Sequence, residues 1–137
     1  MRSSDRRALV VDDDPIQRQV LSAFLTGCGF SVLVADNGSA ANVLLSEYDD
    51  IDLILTDLHM PEVDGIELIQ HMKDSACNIP LVVISSATTP TVESAQILAR
   101  AHRINLIGCL PKPIDFKKLG ELLGLPPRYV SGRLTTA

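Results

Sequence analysis

Residues 8–17 read ALVVDDDPIQ, and this stretch joins a strand pattern to a helix start. Its four leading apolar residues show no alternation, which is typical of a strand buried on both faces of a parallel sheet. Three aspartates follow; Asp14 can cap a helix, and Pro15 suits the first helical position. The stretch therefore predicts a buried strand that passes into a helix through three carboxylates.

The same rhythm, a short apolar run followed by a helix-period segment, recurs along the chain. The predicted strands cover residues 8–11, 30–35, 51–56, 81–85 and 105–110. The predicted helices lie near residues 15–26, 38–46, 65–73, 89–102 and 114–123. Strand and helix alternate five times, which predicts an α/β fold: a (βα)₅ doubly wound parallel five-stranded sheet with helices on both faces.

Apolar spacing predicts which side of each helix faces the sheet. In the first helix the stripe at helical spacing consists of Ile16, Val20, Ala23 and Phe24. In the second helix the inward residues are predicted to be Ala40, Val43 and Leu44. Each stripe is expected to pack into the core beneath it.

Composition limits the classes of function. The 137 residues are 46% hydrophobic and 21% charged, enough for one globular domain. A net charge of −5 makes direct nucleic-acid binding a poor expectation. No apolar run is long enough to span a membrane, and residues 1–7 lack the apolar region of a secretory signal. Three cysteines in no CxxC pair argue against a disulfide framework and favour a reducing cytoplasm.

Reactive side chains follow four of the five predicted strands. Asp12 and Asp13 follow the first strand, Asp57 the third, Ser85 ends the fourth, and Lys112 follows the fifth. Ligands of open parallel sheets bind beyond the carboxyl ends of the strands, so these groups are expected to converge. Crowded carboxylates repel one another unless a cation compensates them, and Mg²⁺ prefers such ligands. Carboxylates, Mg²⁺, a lysine and a hydroxyl suit phosphoryl transfer, with a carboxylate able to act as nucleophile.

Four segments in this order closely resemble the receiver domain of two-component response regulators. They are residues 11–15 (VDDDP), 57–65 (DLHMPEVDG), the run from Ile79-Pro80 to Ser85-Ser86-Ala87, and 111–113 (PKP). The resemblance covers about residues 7–123. It implies a flavodoxin-like sheet with strand order 2-1-3-4-5, a receiver domain over residues 1–123, and a tail or linker over residues 124–137.

The resemblance also implies a role for each site residue. Asp57 would accept a phosphoryl group from a sensor histidine kinase or a histidine phosphotransfer protein. The Mg²⁺ ligands would be Asp12, Asp13, Asp57 and the backbone carbonyl of His59. Ser85 and Lys112 would bind the transferred group. The protein would be a signalling switch and not a turnover enzyme, with self-phosphorylation and slow autodephosphorylation as its only chemistry.

The switch is expected to act on the surface formed by the fourth predicted helix, the fifth strand and the fifth helix. A homodimer could use the same helices, and the downstream output domain or target is unknown. The family usually has Tyr or Phe three residues before the lysine, and its ring swings inward on activation. This chain has Cys109 there, so an aromatic ring cannot report activation.

Two other functions stay open on the residues alone. A haloacid-dehalogenase-like phosphatase would use Asp12 as nucleophile, because Asp12-x-Asp14 matches its D-x-D opening. That class needs further carboxylates after the lysine, and Asp115 alone follows closely. A receiver-like adaptor would act without phosphorylation.

Overall fold

The computed structural model describes residues 6–57, 78–85, 93, 96–97, 99–101 and 103–125. The strands are β1 (Arg6–Val11), β2 (Phe30–Ala35), β3 (Ile51–Asp57), β4 (Leu81–Ser85) and β5 (Leu106–Pro111). The helices with defined bounds are α1 (Pro15–Gly27), α2 (Gly38–Glu47) and the C-terminal helix (Phe116–Leu122). In the fourth predicted helix the described positions 93, 96–97 and 99–101 are helical. The third predicted helix, residues 65–73, lies outside the described residues.

The five strands form one parallel sheet in the order β2-β1-β3-β4-β5. Every residue of β4 is buried, as its unbroken apolar run predicted. Leu9 and Val11 contribute to the core on one face of the sheet, and Ala8 and Val10 to the core on the other. The predicted doubly wound sheet and its strand order are confirmed.

Helix α1 begins as predicted but buries a different face. Asp14 caps it by accepting a hydrogen bond from the backbone N–H of Ile16 at 3.0 Å. Its buried residues are Leu21, Phe24 and Leu25. The predicted stripe is wrong at three of its four positions: Ile16 is 71% exposed, Val20 is 42% exposed and Ala23 is also exposed. The sequence offers two overlapping apolar stripes, and the one with two leucines removes more apolar area from water.

Helix α2 also departs from one predicted contact. Asn37 caps it by accepting from the backbone N–H of Ala40 at 2.8 Å. Ala41 is buried, and Ala40 and Leu44 pack partly buried against the core. Val43, predicted to face inward, is 54% exposed. At about 100° of rotation per residue it lies roughly opposite Ala41, so both cannot face the sheet.

The C-terminal helix packs on the same face of the sheet as α1. Asp115 caps it, accepting from the backbone N–H groups of Lys117 and Lys118 at 3.0 and 3.3 Å. Leu119 is buried, and the ring of Phe116 lies 4.9 Å from that of Phe24 in α1. In the described part of the chain, no helix is long and apolar enough to cross a bilayer.

Candidate functional site

The candidate site lies where the carboxyl ends of four strands meet. Asp12 follows β1, and its backbone N–H donates to the carbonyl of Ala35 at 3.0 Å, which extends the pairing with β2. Asp57 is the last residue of β3, and in the register of the sheet it lies beside Ile84 of β4. Ser85, also on β4, lies beside Pro111 of β5, and Lys112 comes next. The register therefore brings the predicted site residues to one edge, as their strand-end positions indicated.

Three carboxylates form the acidic part of the site. One oxygen from each of Asp12, Asp13 and Asp57 lies within 4.8 Å of the others. Asp12 is 1% exposed and Asp57 is 5% exposed, whereas Asp13 faces solvent. Buried carboxylates at this separation repel one another strongly, and oxygen donors alone are the set that Mg²⁺ prefers. The residues present thus fit a magnesium ion.

Lys112 supplies the positive charge of the site. Its Nζ donates to Oδ2 of Asp57 at 2.8 Å and lies 3.7 Å from Oδ2 of Asp12. Burial by itself would lower the pKa of Lys112, but its hydrogen bond to Asp57 and the charges of the surrounding carboxylates outweigh that effect and raise the pKa. Lys112 is therefore charged at neutral pH and partly compensates the carboxylates.

Asp12 is the most buried acid of the site. Its Oδ1 accepts a hydrogen bond from the backbone N–H of Asp14 at 2.9 Å. Burial raises its pKa; the Asp14 hydrogen bond and Lys112 oppose that rise, while Asp57 and Asp13 add to it. A cation bound between these carboxylates would relieve the cost of keeping Asp12 ionised.

A model of the family described as the response regulator receiver domain matches residues 8–123. The chain belongs to the response regulator receiver family. Phosphorylation and Mg²⁺ binding are general features of this family, whose members are signalling domains.

Longer proteins contain stretches similar to this receiver domain. The transcriptional regulatory protein ZraR of Klebsiella oxytoca is 35% identical over 111 residues, which are 81% of this chain and 24% of ZraR. The sensor histidine kinase RcsC of Salmonella typhi is 30% identical over 123 residues, 90% of this chain and 12% of RcsC. The chain thus spans a quarter or less of the length of these two relatives.

Solved receiver structures share the fold. A response regulator receiver protein from Pseudomonas putida superposes with a TM-score of 0.78 at 27% identity, covering 90% of this chain and 98% of that one. The response regulator TrrA of Thermotoga maritima, solved with Mg²⁺ and BeF, gives a TM-score of 0.73 at 22% identity, covering 87% and 96%. At 22% identity, the similarity to TrrA shows a shared fold and nothing more.

Two further predicted residues of the receiver site are Ser85 and His59. Ser85 is buried at the end of β4, and its backbone carbonyl accepts from the backbone N–H of Lys112 at 3.2 Å. His59 lies outside the described residues. The peptide bond between Lys112 and Pro113 is cis.

Two contacts near the receiver site were not predicted from the sequence. Nη1 of Arg18, on α1, donates to the backbone carbonyl of Asp12 at 2.8 Å. The buried hydroxyl of Thr56 donates to the backbone carbonyl of Asp57 at 3.0 Å. Both bonds join a side chain to a main-chain oxygen. For the Arg18 bond, the only signal in the sequence is an arginine one turn into the helix that follows the aspartates.

Cys109 lies on the face of β5 that packs towards the fourth helix. It is partly buried against the core beneath that helix, and the side-chain amide of Gln96 contacts its Sγ at 3.7 Å. Burial raises the pKa of the Cys109 thiol, with a smaller opposing effect from Gln96. At this position the receiver domain therefore has a small neutral thiol in contact with the neighbouring helix.

Proposed function

We propose that this receiver domain accepts a phosphoryl group on Asp57 from a histidine kinase or a histidine phosphotransfer protein. The observation that supports this best is the partly buried ion pair between Lys112 and Asp57, 2.8 Å long, in which Asp57 is one of three neighbouring carboxylates. A nucleophilic carboxylate needs a counter-charge that also receives the incoming phosphoryl oxygens, and Lys112 is placed to do both.

In the proposed reaction, a carboxylate oxygen of Asp57 attacks phosphorus as the bond from phosphorus to the donor nitrogen breaks. Asp12, Asp13, Asp57 and the backbone carbonyl of His59 would hold Mg²⁺. When bound, Mg²⁺ neutralises the charge that spreads over the phosphoryl oxygens. Lys112 pairs with one of those oxygens, and the hydroxyl of Ser85 donates to another.

The new acyl phosphate adds about two negative charges to the buried edge of the sheet. The phosphoryl oxygens become an additional partner for Lys112 and Ser85. Both residues adjoin the output face, which we define as residues 96–97 and 99–101, β5 and the C-terminal helix. To shift two states of this face from a ratio of 1:99 to 99:1, the phosphoryl group must bind one state more favourably than the other by about 5.5 kcal/mol. A charge-assisted ion pair and a hydroxyl hydrogen bond in a partly dry site are of that order.

The proposal also covers the extent and partners of the protein. The receiver domain would span residues 1–123, and residues 124–137 would be a tail or the start of a linker. We propose an output domain or target protein as the downstream partner and homodimerisation through the fourth and C-terminal helices, without direct nucleic-acid or membrane contact. A cytoplasmic location agrees with the free thiols of Cys28 and Cys109.

Labelling by acetyl phosphate tests the phosphoacceptor. Intact-mass spectrometry in Mg²⁺ is expected to show one phosphoryl adduct on the wild type and none on Asp57→Asn, because an amide cannot form the acyl phosphate. Asp49→Asn, at an exposed position before β3, is the matched control and should label normally.

The two alternatives give different results in the same experiment. If Asp57→Asn still labels and Asp12→Asn does not, the nucleophile is Asp12 and the phosphatase hypothesis replaces this one. If the wild type neither labels nor responds to Mg²⁺ with beryllofluoride, the chain is a phosphorylation-independent adaptor. The family match over residues 8–123 favours the receiver function over the phosphatase.

A further inference from the structure

Arg18 makes a contact that helix geometry does not require. It lies on α1, and its Nη1 donates to the backbone carbonyl of Asp12, six residues earlier, at 2.8 Å. That carbonyl lies between β1 and α1, outside the hydrogen-bond ladders of both. The guanidinium therefore ties the helix to the loop that contributes two of the three site carboxylates.

With the Arg18 contact, the backbone N–H, the carboxylate and the backbone carbonyl of Asp12 each have a hydrogen-bond partner. Its backbone N–H bonds to Ala35 at 3.0 Å, its carboxylate accepts from the N–H of Asp14 at 2.9 Å, and its carbonyl accepts from Arg18. A carbonyl and the N–H that follows it lie in one rigid plane. Holding the carbonyl of Asp12 thus sets the orientation of the Asp13 amide and, through it, the direction of the Asp13 side chain.

Asp13 is the carboxylate that most needs such control. Asp12 and Asp57 are held by burial, whereas Asp13 is exposed. An exposed carboxylate that must stay within 4.8 Å of two others loses conformational freedom when it does so. A fixed backbone reduces the number of directions that its side chain samples.

We propose that Arg18 is a positioning residue for Mg²⁺ binding that acts through the peptide plane between Asp12 and Asp13. This inference rests on the proposed function, because it assigns Mg²⁺ to this site. Loss of the charge of Arg18 and loss of its hydrogen bond should change the affinity for Mg²⁺ in opposite directions. A nearby cation repels Mg²⁺, so removing the charge alone would tighten binding. Losing the fixed peptide plane would weaken it.

Calorimetric titration of Mg²⁺ into the unphosphorylated protein measures directly whether each substitution weakens or tightens Mg²⁺ binding. Arg18→Met keeps much of the side-chain length and removes both charge and donors; we expect about tenfold weaker binding, the lower range for residues that orient metal ligands. Arg18→Lys keeps the charge and a single donor nitrogen, and its Mg²⁺ affinity should lie between those of Arg18→Met and the wild type. Lys118→Met removes an exposed cation from the C-terminal helix and should not weaken binding.

A double-mutant cycle tests the route through Asp13. In an Asp13→Ala background, Arg18→Met should weaken Mg²⁺ binding by less than about twofold, because the ligand that Arg18 orients is gone. An equal loss in both backgrounds contradicts the inference. Thermal unfolding of each variant in EDTA verifies that it is folded.

The outcomes separate this inference from the proposed function. If the wild type shows no Mg²⁺ binding, the metal assignment of the proposed function fails. If the wild type binds Mg²⁺ and Arg18→Met binds it equally or more tightly, only the role of Arg18 is overturned.

Discussion

Asp12 is a carboxylate that folding buries and that Lys112 compensates only in part. Burial raises the pKa of Asp12 in the folded protein above the ordinary value of 3.8. At a pH between the ordinary pKa and the folded pKa, the folded chain therefore binds more protons than the unfolded one. Stability then falls as pH rises from about 4 through the folded pKa, and the full penalty is present above the folded pKa. Asp12 thus lowers the stability of the metal-free protein.

Asp12→Asn removes this penalty and keeps a side-chain oxygen for the N–H of Asp14. In EDTA at pH 7 we expect the variant to have a higher free energy of unfolding than the wild type, because it buries no charge at this position. Lys112 keeps Asp57 as its partner. The difference should shrink as pH falls to about 4, where the unfolded Asp12 also becomes protonated. Urea unfolding across this pH range measures it, and a difference independent of pH would contradict the account.

The sequence predicted the site residues on strands better than their contacts from helices. Asp12, Asp57 and Lys112 follow buried strands, and parallel strands end at one edge, so their meeting follows from the fold. The bond from Arg18 to the carbonyl of Asp12 depends on the rotation of α1 and on a side-chain rotamer. Neither is encoded in a residue pattern, so this contact could not be predicted.

At the scale of the element, α1 illustrates what apolar spacing leaves undetermined. Its start was predicted because Asp14 and Pro15 act locally, but its buried face was not. Ile16 and Val20 belong to one apolar stripe, Leu21 and Leu25 to another, and both stripes include Phe24. The choice depends on the shape of the sheet surface beneath the helix. Local capping chemistry is therefore readable from the sequence, whereas the rotation of a helix depends on tertiary packing.

Two truncations on α1 test which stripe faces the core. Leu21→Ala is expected to lower the free energy of unfolding by about 2–5 kcal/mol, because it leaves a cavity at a fully buried position. Ile16→Ala, at a position 71% exposed, should change it by less than about 0.5 kcal/mol. Urea unfolding at 25 °C measures both. Comparable losses would mean that both stripes are buried in solution.

At the scale of the molecule, β5 connects the candidate site to the output face. It runs from Leu106 to Pro111, so one strand carries Cys109 in the face and leads directly to Lys112 in the site. Cys109 pairs in register with Val83 of β4, two residues before Ser85. Any movement of Lys112 and Ser85 towards a phosphoryl group therefore acts on both strands beneath Gln96. The contact between Gln96 and Cys109 is positioned to change with it.

Beryllofluoride with Mg²⁺, a stable mimic of the aspartyl phosphate, tests this coupling. We expect the backbone amide resonances of Gln96, Cys109 and Lys112 to shift in nuclear magnetic resonance spectra, because the new charge draws Lys112 and the end of β4 inward. Residues 30–33 of β2, at the opposite edge of the sheet, serve as an internal control and should hardly shift. Asp57→Asn should abolish the response. Shifts confined to residues 12–14, 57 and 112 would show that the ligand binds without reaching the output face, and the contact of Cys109 with Gln96 would then have no part in the switch.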